Sequence, residues 1–597
     1  MGRGSGNAER RGPLDHARAL AVRTIDWAVV AVYLSATLAI GLWLARRASR
    51  SLEDFFVGGR TIPWWLAGAS MAAITFSVDT PLYVSGLVIG RGIAGNWEWW
   101  SFVVAHVSMI YLFARLWRRA GILTDYELTE LRYGRNAAAV LRGTGAFLFA
   151  LPINAISIAY GMLAMRKVAD ALGIWSQLGL EGDMAKVWTV VLIAAVVLLY
   201  AAFSGLWGVV TTDFFQLTLA LIGAIVVVTY ALHEIGGLSL LPQKLAAAGK
   251  SDHLAFFPSV GSALLPLPTF LAYVSIQWWA YKGADGGGQF VQRLVSVPSE
   301  RDAERAAWLF NIINYVVRCW PWILTALIAM LVLPGLADRE MAYPLLMKRY
   351  LPAGMLGLVF ASLLAAFMSS VSAQVNWGAS YLVNDVYRRF IAPRASERSL
   401  VWAGRFASLI ITAAASFVAF NLRSIGETFR LLIALGTGTG AVLILRWFWW
   451  RINVWAEIAA LVGSVLVAAF IYAVPSLRAL EFGVRETAMA AIVTALWLTV
   501  MWLTPPESDE TLDAFYTRAR PGGAWGPVRA RTGLAPRQHL ASDVRRVIAG
   551  VAALLGVNVG IGAALLQQWG LVAGAGVAAA CGVIFLLRAR ALSADGA

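Results

Sequence analysis

Apolar runs long enough to cross a bilayer follow one another along almost the whole chain, and one of them is polar at its centre. From Trp64 to Gly90 the sequence reads WWLAGASMAAITFSVDTPLYVSGLVIG. As one helix this run would be roughly 40 Å long, well over the ~30 Å hydrocarbon core of a bilayer. Its middle, Thr75-Phe76-Ser77-Val78-Asp79-Thr80-Pro81, supplies hydroxyls and a carboxylic acid. It ends in a residue that cannot donate to a helix ladder and that pushes its predecessor out of the α region. The pattern predicts two half-helices joined by unwound backbone. An acid at membrane depth is costly unless it faces protein or water, and unwound backbone near the midplane is how many secondary transporters hold ions and solutes.

Hydropathy predicts about fifteen spans, beginning near 26, 63, 97, 137, 187, 206, 264, 308, 352, 400, 427, 455, 486, 546 and 569. The fold class expected is an all-α polytopic membrane protein. The run from 264 to 290 is also interrupted, by Tyr281-Lys282-Gly283-Ala284-Asp285-Gly286-Gly287-Gly288-Gln289. Two broken segments in corresponding positions of two five-span halves point to inverted repeats with a site between them. The chain then divides into a polar tail (1–25), a leading span with its loop (26–62), a first repeat (63–233) and an external loop (234–263). A second repeat (264–450), further spans (451–504), a linker (505–545) and a terminal pair of spans with a tail (546–597) follow.

Arginine clusters set the expected orientation. Arg46-Arg47-Ala48-Ser49-Arg50, Arg115 to Arg119, Arg388-Arg389 and the arginines of 518–546 fall on one side, which the positive-inside bias makes cytoplasmic. An odd span count puts the N-terminus outside and the C-terminus in the cytoplasm, with the chain in the plasma (inner) membrane. Trp64-Trp65, Trp97 to Trp100, Trp278-Trp279 and Trp447 to Trp450 read as interfacial anchors toward the lipids.

Composition narrows the function. Among 597 residues, 59% are hydrophobic and 14% charged, which excludes a soluble globular protein. The formal net charge of +15 lies in short clusters between apolar runs and so does not suggest nucleic acid. Cys319 and Cys581 both sit in apolar segments, against a disulfide framework or a zinc site. The histidines are scattered without metal-ligand spacing and there is no GxxxxGK[ST] loop, so neither an enzyme nor a cofactor is expected. Energy must then come from an ion gradient.

The second informative stretch is Ala365-Ala366-Phe367-Met368-Ser369-Ser370-Val371-Ser372-Ala373-Gln374-Val375-Asn376. Adjacent serines one helical turn after a small alanine can present two hydroxyls and the Ala366 carbonyl to one point, a donor set suited to a monovalent hard cation. Small residues and serines are also ordinary at membrane helix interfaces, and spacing alone leaves both readings open.

The stretch AAFMSSVSAQVNWGASYLVNDVYRRF (365–390) resembles the eighth core helix of the sodium:solute symporter family. The family pattern recurs in order in FFVGGRTIPWWLAGAS (55–70), ILTDYELTELRYG (122–134), SGLWGVVTTDFFQ (204–216), QFVQRLVSVPSERDAERA (289–306) and LGTGTGAVLILRWFWWRINVWAE (435–457). The resemblance covers roughly residues 25–500. It implies a leucine-transporter-type core of two inverted five-helix repeats, with one span before it and several after. It also implies sodium ligands: the carbonyls of Ala73, Phe76 and Ala366 and the hydroxyls of Ser369 and Ser370. Asp213 matches an acid near the sodium exit path; its alternative reading is a cap at a cytoplasmic helix start.

For the solute, the sugar-transporting branch implies contacts at Thr80 and Glu98, and the neighbouring Thr75, Ser77 and Asp79 are expected to line the same cavity. Glu98 could equally be a solvated helix start. Gln277, Trp278 and Trp279 loosely echo the branch's sixth-helix polar and aromatic residues, its tenth-helix glutamine falls near Phe429, and Arg318 is the cation nearest its seventh-helix lysine. The reading expected overall is a sodium-coupled symporter that imports a small polar organic solute, sugar-like by branch, through alternating access. Sodium ion is the coupling ion, and no protein partner is assigned. Proton coupling through Asp79 and a solute sensor without transport are the alternatives.

Overall fold

The structure is a computed structural model that describes residues 22–45 and 52–594. Most of the expected tail 1–25 and the Arg46–Arg50 cluster lie outside the described residues. Among those described the architecture is helical throughout, with no strand and one isolated bridge between Trp449 and Ala524. Polar side chains start the helices where the sequence supplies them. Ser299, Ser396, Ser424, Asn453 and Ser508 each accept the backbone N–H three residues on, which satisfies one of the donors that a helix start leaves unpaired.

Among the described residues, ten helices are long and apolar enough to cross a membrane, or twelve when each of two bent pairs counts as one span. The expected spans near 26, 187 and 264 fall outside this count. The leading helix Thr24–Ala45 has 22 residues, and its fully described part, Thr24–Thr37, is apolar but shorter than a span. The spans expected at 187 and 206 lie on one helix of 53 residues, Gly182–Glu234, whose ladder no proline interrupts; Leu206–Glu234 is its fully described stretch of span length. The run from 264 is too short: Leu267–Ala272 passes through a π turn into Trp278–Ala280, and the chain then leaves the helix at Tyr281 and resumes as Gln289–Ser296.

The first broken span is as the sequence predicts. Trp64–Ile74 and Asp79–Arg91 are separate helices set at 54°. A second bent pair, Ile425–Gly436 and Thr439–Phe448, turns by 46° at Thr437-Gly438, where Gly438 holds φ +94°. Trp64–Ile74 packs against Glu300–Val332 so closely that a Cβ at Gly68 would lie 2.6 Å from the Ala306 carbonyl oxygen. The serine-bearing helix Met355–Ser380 packs along Gly182–Glu234 and against the break.

Residues 505–545 are more than the plain linker that their Pro, Gly and Arg content suggests. They form helices Asp509–Ala519 and Gly526–Thr532, folded against the arginine-rich end of the bundle. Trp525 is fully buried, stacks on Phe515 at 5.6 Å and donates from Nε1 to the Trp447 carbonyl at 2.9 Å. The Arg132 guanidinium lies 5.0 Å from the Trp525 ring and donates to the carbonyls of Arg446 (2.8 Å) and Ile452 (3.0 Å). Glu507 accepts the backbone N–H groups of Gly134 (3.0 Å) and Val454 (2.9 Å), fastening two loops to the cap. Trp525→Ala is therefore expected to cost about 3–5 kcal/mol of local stability. Limited proteolysis of purified protein should show 505–545 cut much faster in the variant, and an unchanged rate would contradict this docking.

Candidate functional site at the broken span

Between Ile74 and Asp79 the backbone leaves the helix, and its freed groups are met by side chains from elsewhere. Ser370 Oγ lies 3.2 Å from the Phe76 carbonyl oxygen and 3.1 Å from that of Ala366, bridging the break and the serine helix. The Ala73 carbonyl accepts the Phe76 N–H at 3.0 Å. Ala73, Phe76, Ala366, Ser369 and Ser370 are all buried, so this cluster of oxygens is walled from lipid.

Ser369 turns the other way and donates to Asp213 Oδ1 at 2.6 Å, while Ser70 donates to Asp213 Oδ2 at 2.5 Å. Arg293 completes the group: its Nε donates to Ser70 Oγ at 3.2 Å and its Nη2 lies 4.0 Å from Asp213. Asp213 and Arg293 are fully buried, in the interior of Gly182–Glu234 and Gln289–Ser296 respectively. The helix-cap reading of Asp213 is therefore wrong, because it sits far inside its helix and its oxygens serve neighbouring helices. Arg293 was missed by sequence reasoning; its signal was a cation beside Gln292 on a short amphipathic helix, QFVQRLVS.

On the other side of the break lies a cavity of about 50 Å³ lined by Thr75, Ser77, Asp79, Thr80 and Ser370, with residues of two neighbouring helices. Thr75 Oγ1 donates toward the Ala72 carbonyl (3.0 Å) and accepts from Arg318 Nη1 (3.1 Å), which also donates to the Ala72 carbonyl (3.1 Å). Thr80 Oγ1 accepts the Ser77 N–H at 3.1 Å. The lining also includes Ser157, Tyr160, Gly161 and Gln374, none of which the sequence analysis named. Two signals could have found them: Ser157, Tyr160 and Gly161 share one helix face at i, i+3 and i+4, and Gln374 follows Ser370 by one turn.

Four expected solute contacts are not brought to this cavity. Glu98 is fully buried and committed elsewhere: it accepts from Arg430 Nε (2.8 Å) and Nη2 (2.9 Å), from Tyr83 (3.0 Å) and from Tyr273 (2.8 Å). It is a clamp between helices, not a solvated helix start. Gln277 Nε2 donates to the Glu98 carbonyl at 2.5 Å, Trp278 is half-buried away from the lining, and Trp279 Nε1 donates to the Ser275 carbonyl at 2.7 Å. The π turn at 273–277 accounts for this placement, since one extra residue per turn rotates the following side chains off the face that regular helix spacing predicts.

The interrupted run 281–288 closes the bundle on its arginine-rich side. Lys282 Nζ is 3.6 Å from Asp125 and 3.8 Å from the Phe149 ring centre, Tyr381 donates to Asp125, and Gly288 N–H donates to Asp125 at 2.9 Å. Asp285 does not pair with Lys282 but with Arg446, at 2.9 Å, and Arg446 also holds Glu457 at 3.0 Å.

The profile of the sodium:solute symporter family matches residues 55–466. The chain is 28% identical over 480 residues to a sodium/glucose cotransporter of Vibrio parahaemolyticus, covering 76% of this chain and 86% of that one. It is 24% identical over 474 residues to sodium/glucose cotransporter 1 of Oryctolagus cuniculus, covering 72% and 69%. Among solved structures it resembles the substrate-bound outward-open state of a Na+-coupled sialic acid symporter, with TM-score 0.65 and 21% identity over 81% of this chain and 99% of that one. That likeness shows the fold, which is of the leucine-transporter type.

Because Glu98 holds Arg430 across the bundle, Glu98→Gln should destabilise the protein by about 3 kcal/mol, toward the low end for breaking a buried pair since Arg430 still reaches solvent. Thermal unfolding of the purified variant should show the loss equally with and without solute, whereas a loss seen only in solute binding would return Glu98 to the binding site.

Proposed function

The chain belongs to the sodium:solute symporter family, and from that premise we propose that it imports a small polar organic solute on a sodium gradient by alternating access. It is a multi-pass membrane transporter and not an enzyme. In this reading sodium binds among the carbonyls of Ala73, Phe76 and Ala366 and the hydroxyls of Ser369 and Ser370. The solute occupies the neighbouring cavity beside Thr75, Ser77, Asp79 and Thr80. Sugar-like solutes are favoured by the names of the relatives, and the plasma membrane with an outside N-terminus and a cytoplasmic C-terminus is the orientation that the arginine clusters favour.

The observation that carries the sodium assignment is Ser370 Oγ set between the carbonyls of Phe76 and Ala366. A hydroxyl there holds two helices through weak donor bonds. A sodium ion would hold the same oxygens by charge, joining the break to the serine helix and favouring the arrangement in which both halves are docked. Asp213 reaches the site only through Ser369, a placement that suits a relay for the ion as it leaves. The cavity and the sodium oxygens share Ser370, so each ligand orders a wall of the other's site, and coupling between them is reciprocal.

Asp79 supports a second reading, in which it carries a proton as the coupling ion, because its Oδ1 is buried without a hydrogen-bond partner. Proteoliposomes separate the two. Solute uptake should follow an imposed sodium gradient, and Ser369→Ala with Ser370→Ala should raise the sodium concentration for half-maximal uptake by about 10–100-fold, the equivalent of one or two lost polar ligands. Uptake driven by a pH jump without sodium and abolished by Asp79→Asn would instead establish the proton reading.

A further inference from the structure

The break cavity presents acceptors and no charged donor. Its lining contains no lysine, arginine or histidine. Two of its side-chain oxygens, Asp79 Oδ1 and Gln374 Oε1, have no hydrogen-bond partner, and each residue is only 8% exposed. Gln374 is oriented by its Nε2, which donates to Ser157 Oγ at 3.1 Å, and this leaves its carbonyl oxygen free. An amide can turn end for end, but an ionised carboxylate can only accept. Asp79 therefore fixes the polarity of the cavity.

The nearest buried cation acts on it only through its field. Arg318 spends Nη1 on the Ala72 carbonyl and on Thr75 Oγ1, both neutral acceptors, and makes no contact ion pair with Asp79. Four other buried acids are treated differently, though Glu486 is not: Asp213 faces Arg293, Asp285 faces Arg446, Asp385 faces Arg142 and Glu98 faces Arg430. An unpaired carboxylate inside a bundle is strongly disfavoured unless a positive group comes to it.

We propose that the transported solute carries a protonated amino group, and that this group docks on Asp79 at the break. The proposal rests on the reading of this cavity as the solute site. A protonated primary amine brings one positive charge and three donors. These match Asp79 Oδ1, Gln374 Oε1 and a hydroxyl oxygen of the Ser77–Thr80 turn. A neutral hydroxyl offers one donor and no charge, so it answers one orphaned oxygen and leaves the carboxylate uncompensated. Size agrees. The cavity of about 50 Å³ has room for an ammonium group, since roughly 10–15 Å³ on a comparable measure already holds a water molecule.

The test is thermal unfolding of the purified full chain in sodium against matched pairs of solutes, D-glucosamine with D-glucose and L-alanine with L-lactate. The amino member of at least one pair should stabilise the protein at concentrations at least tenfold below its hydroxyl counterpart, and Asp79→Asn should weaken that amine's binding by about 100-fold, the usual scale for losing one partner of a buried charge pair. Asp79→Glu should recover part of it. Stabilisation of the Asp79→Asn variant by sodium alone reports that the variant is folded. Hydroxyl members binding as well as amines, amine binding indifferent to Asp79→Asn, or no response to any amine would each overturn the proposal. Sodium-driven uptake of D-glucose that survives Asp79→Asn overturns it while leaving the symporter reading standing. Amine uptake that ignores sodium does the reverse.

Discussion

Unwound backbone inside an apolar bundle is the constraint on which the rest of this structure depends. Lipid offers nothing to a free carbonyl or amide, so each group released between Ile74 and Asp79 needs a partner from the protein. Ser370 meets the Phe76 carbonyl, Arg318 meets that of Ala72, and Thr80 takes the Ser77 N–H. Those partners come from the serine helix, from Glu300–Val332 and from the second half of the broken span itself. The break is thus not slack in the chain; it is the junction through which these elements hold one another. Any movement of Trp64–Ile74 must exchange these bonds, which is why ligands bound at the junction can decide which arrangement is favoured.

Polar clusters away from the break hold the bundle around it. Glu98 gathers Arg430, Tyr83 and Tyr273, drawing Ile425–Gly436 and the 267–280 segment against Asp79–Arg91. Elsewhere on that side, Glu340 accepts from Lys167 and from the N–H groups of Ile425 and Gly426, where the dipole of the second bent span favours an acid. On the arginine-rich side Asp125, Asp285 and Arg446 lock the interrupted run 281–288 to its neighbours, and the 505–545 cap covers Arg132 and Trp447 beneath them. Charge pairs buried this way add little net stability, since desolvation offsets most of their attraction. Their geometry is specific, which fixes how the elements sit against one another around the break.

Much of this was legible in the sequence, for identifiable reasons. The break announced itself because an over-long apolar run with Ser, Asp and Pro at its centre has no other solution in a bilayer. The family was legible as an ordered set of motifs, and the structure brings Ser370, one of the residues expected to hold sodium, to the Phe76 and Ala366 carbonyls. What failed depended on register or on distant partners. Gln277, Trp278 and Trp279 were placed by helical spacing, and a π turn moved them. Glu98 read as a solute contact because its partner Arg430 lies more than three hundred positions away in sequence, a separation no local pattern reveals. Asp213 read equally well as a cap, since nothing nearby in sequence shows that Ser70, Ser369 and Arg293 converge on it. The 505–545 segment looked like a linker because its folding relies on Trp525 and Phe515 meeting Arg132, again a long-range contact.

The acids of the interior divide into those that face a cation and those that do not. Glu98, Glu457, Asp213, Asp285 and Asp385 each face an arginine. Asp79 does not, nor does Glu486, whose two carboxylate oxygens are buried without partners on a helix that extends beyond the family-matched region 55–466. Glu486 lies on the helix that packs against 267–280, whereas Asp79 lines a cavity at the break itself. An unpaired acid lining a cavity at a hinge has a consequence that a paired one lacks. Whatever positive group arrives, solute amine or proton, removes a cost that the empty cavity bears, and so changes the free energy of the junction by more than its contacts alone supply. The oxygens of Ser370, Phe76 and Ala366 lie on the opposite face of the same four-residue break. Under the proposed reading, two cationic groups, one on each face of that break, would bias one hinge. Either ligand would then report to the other without a long pathway between them.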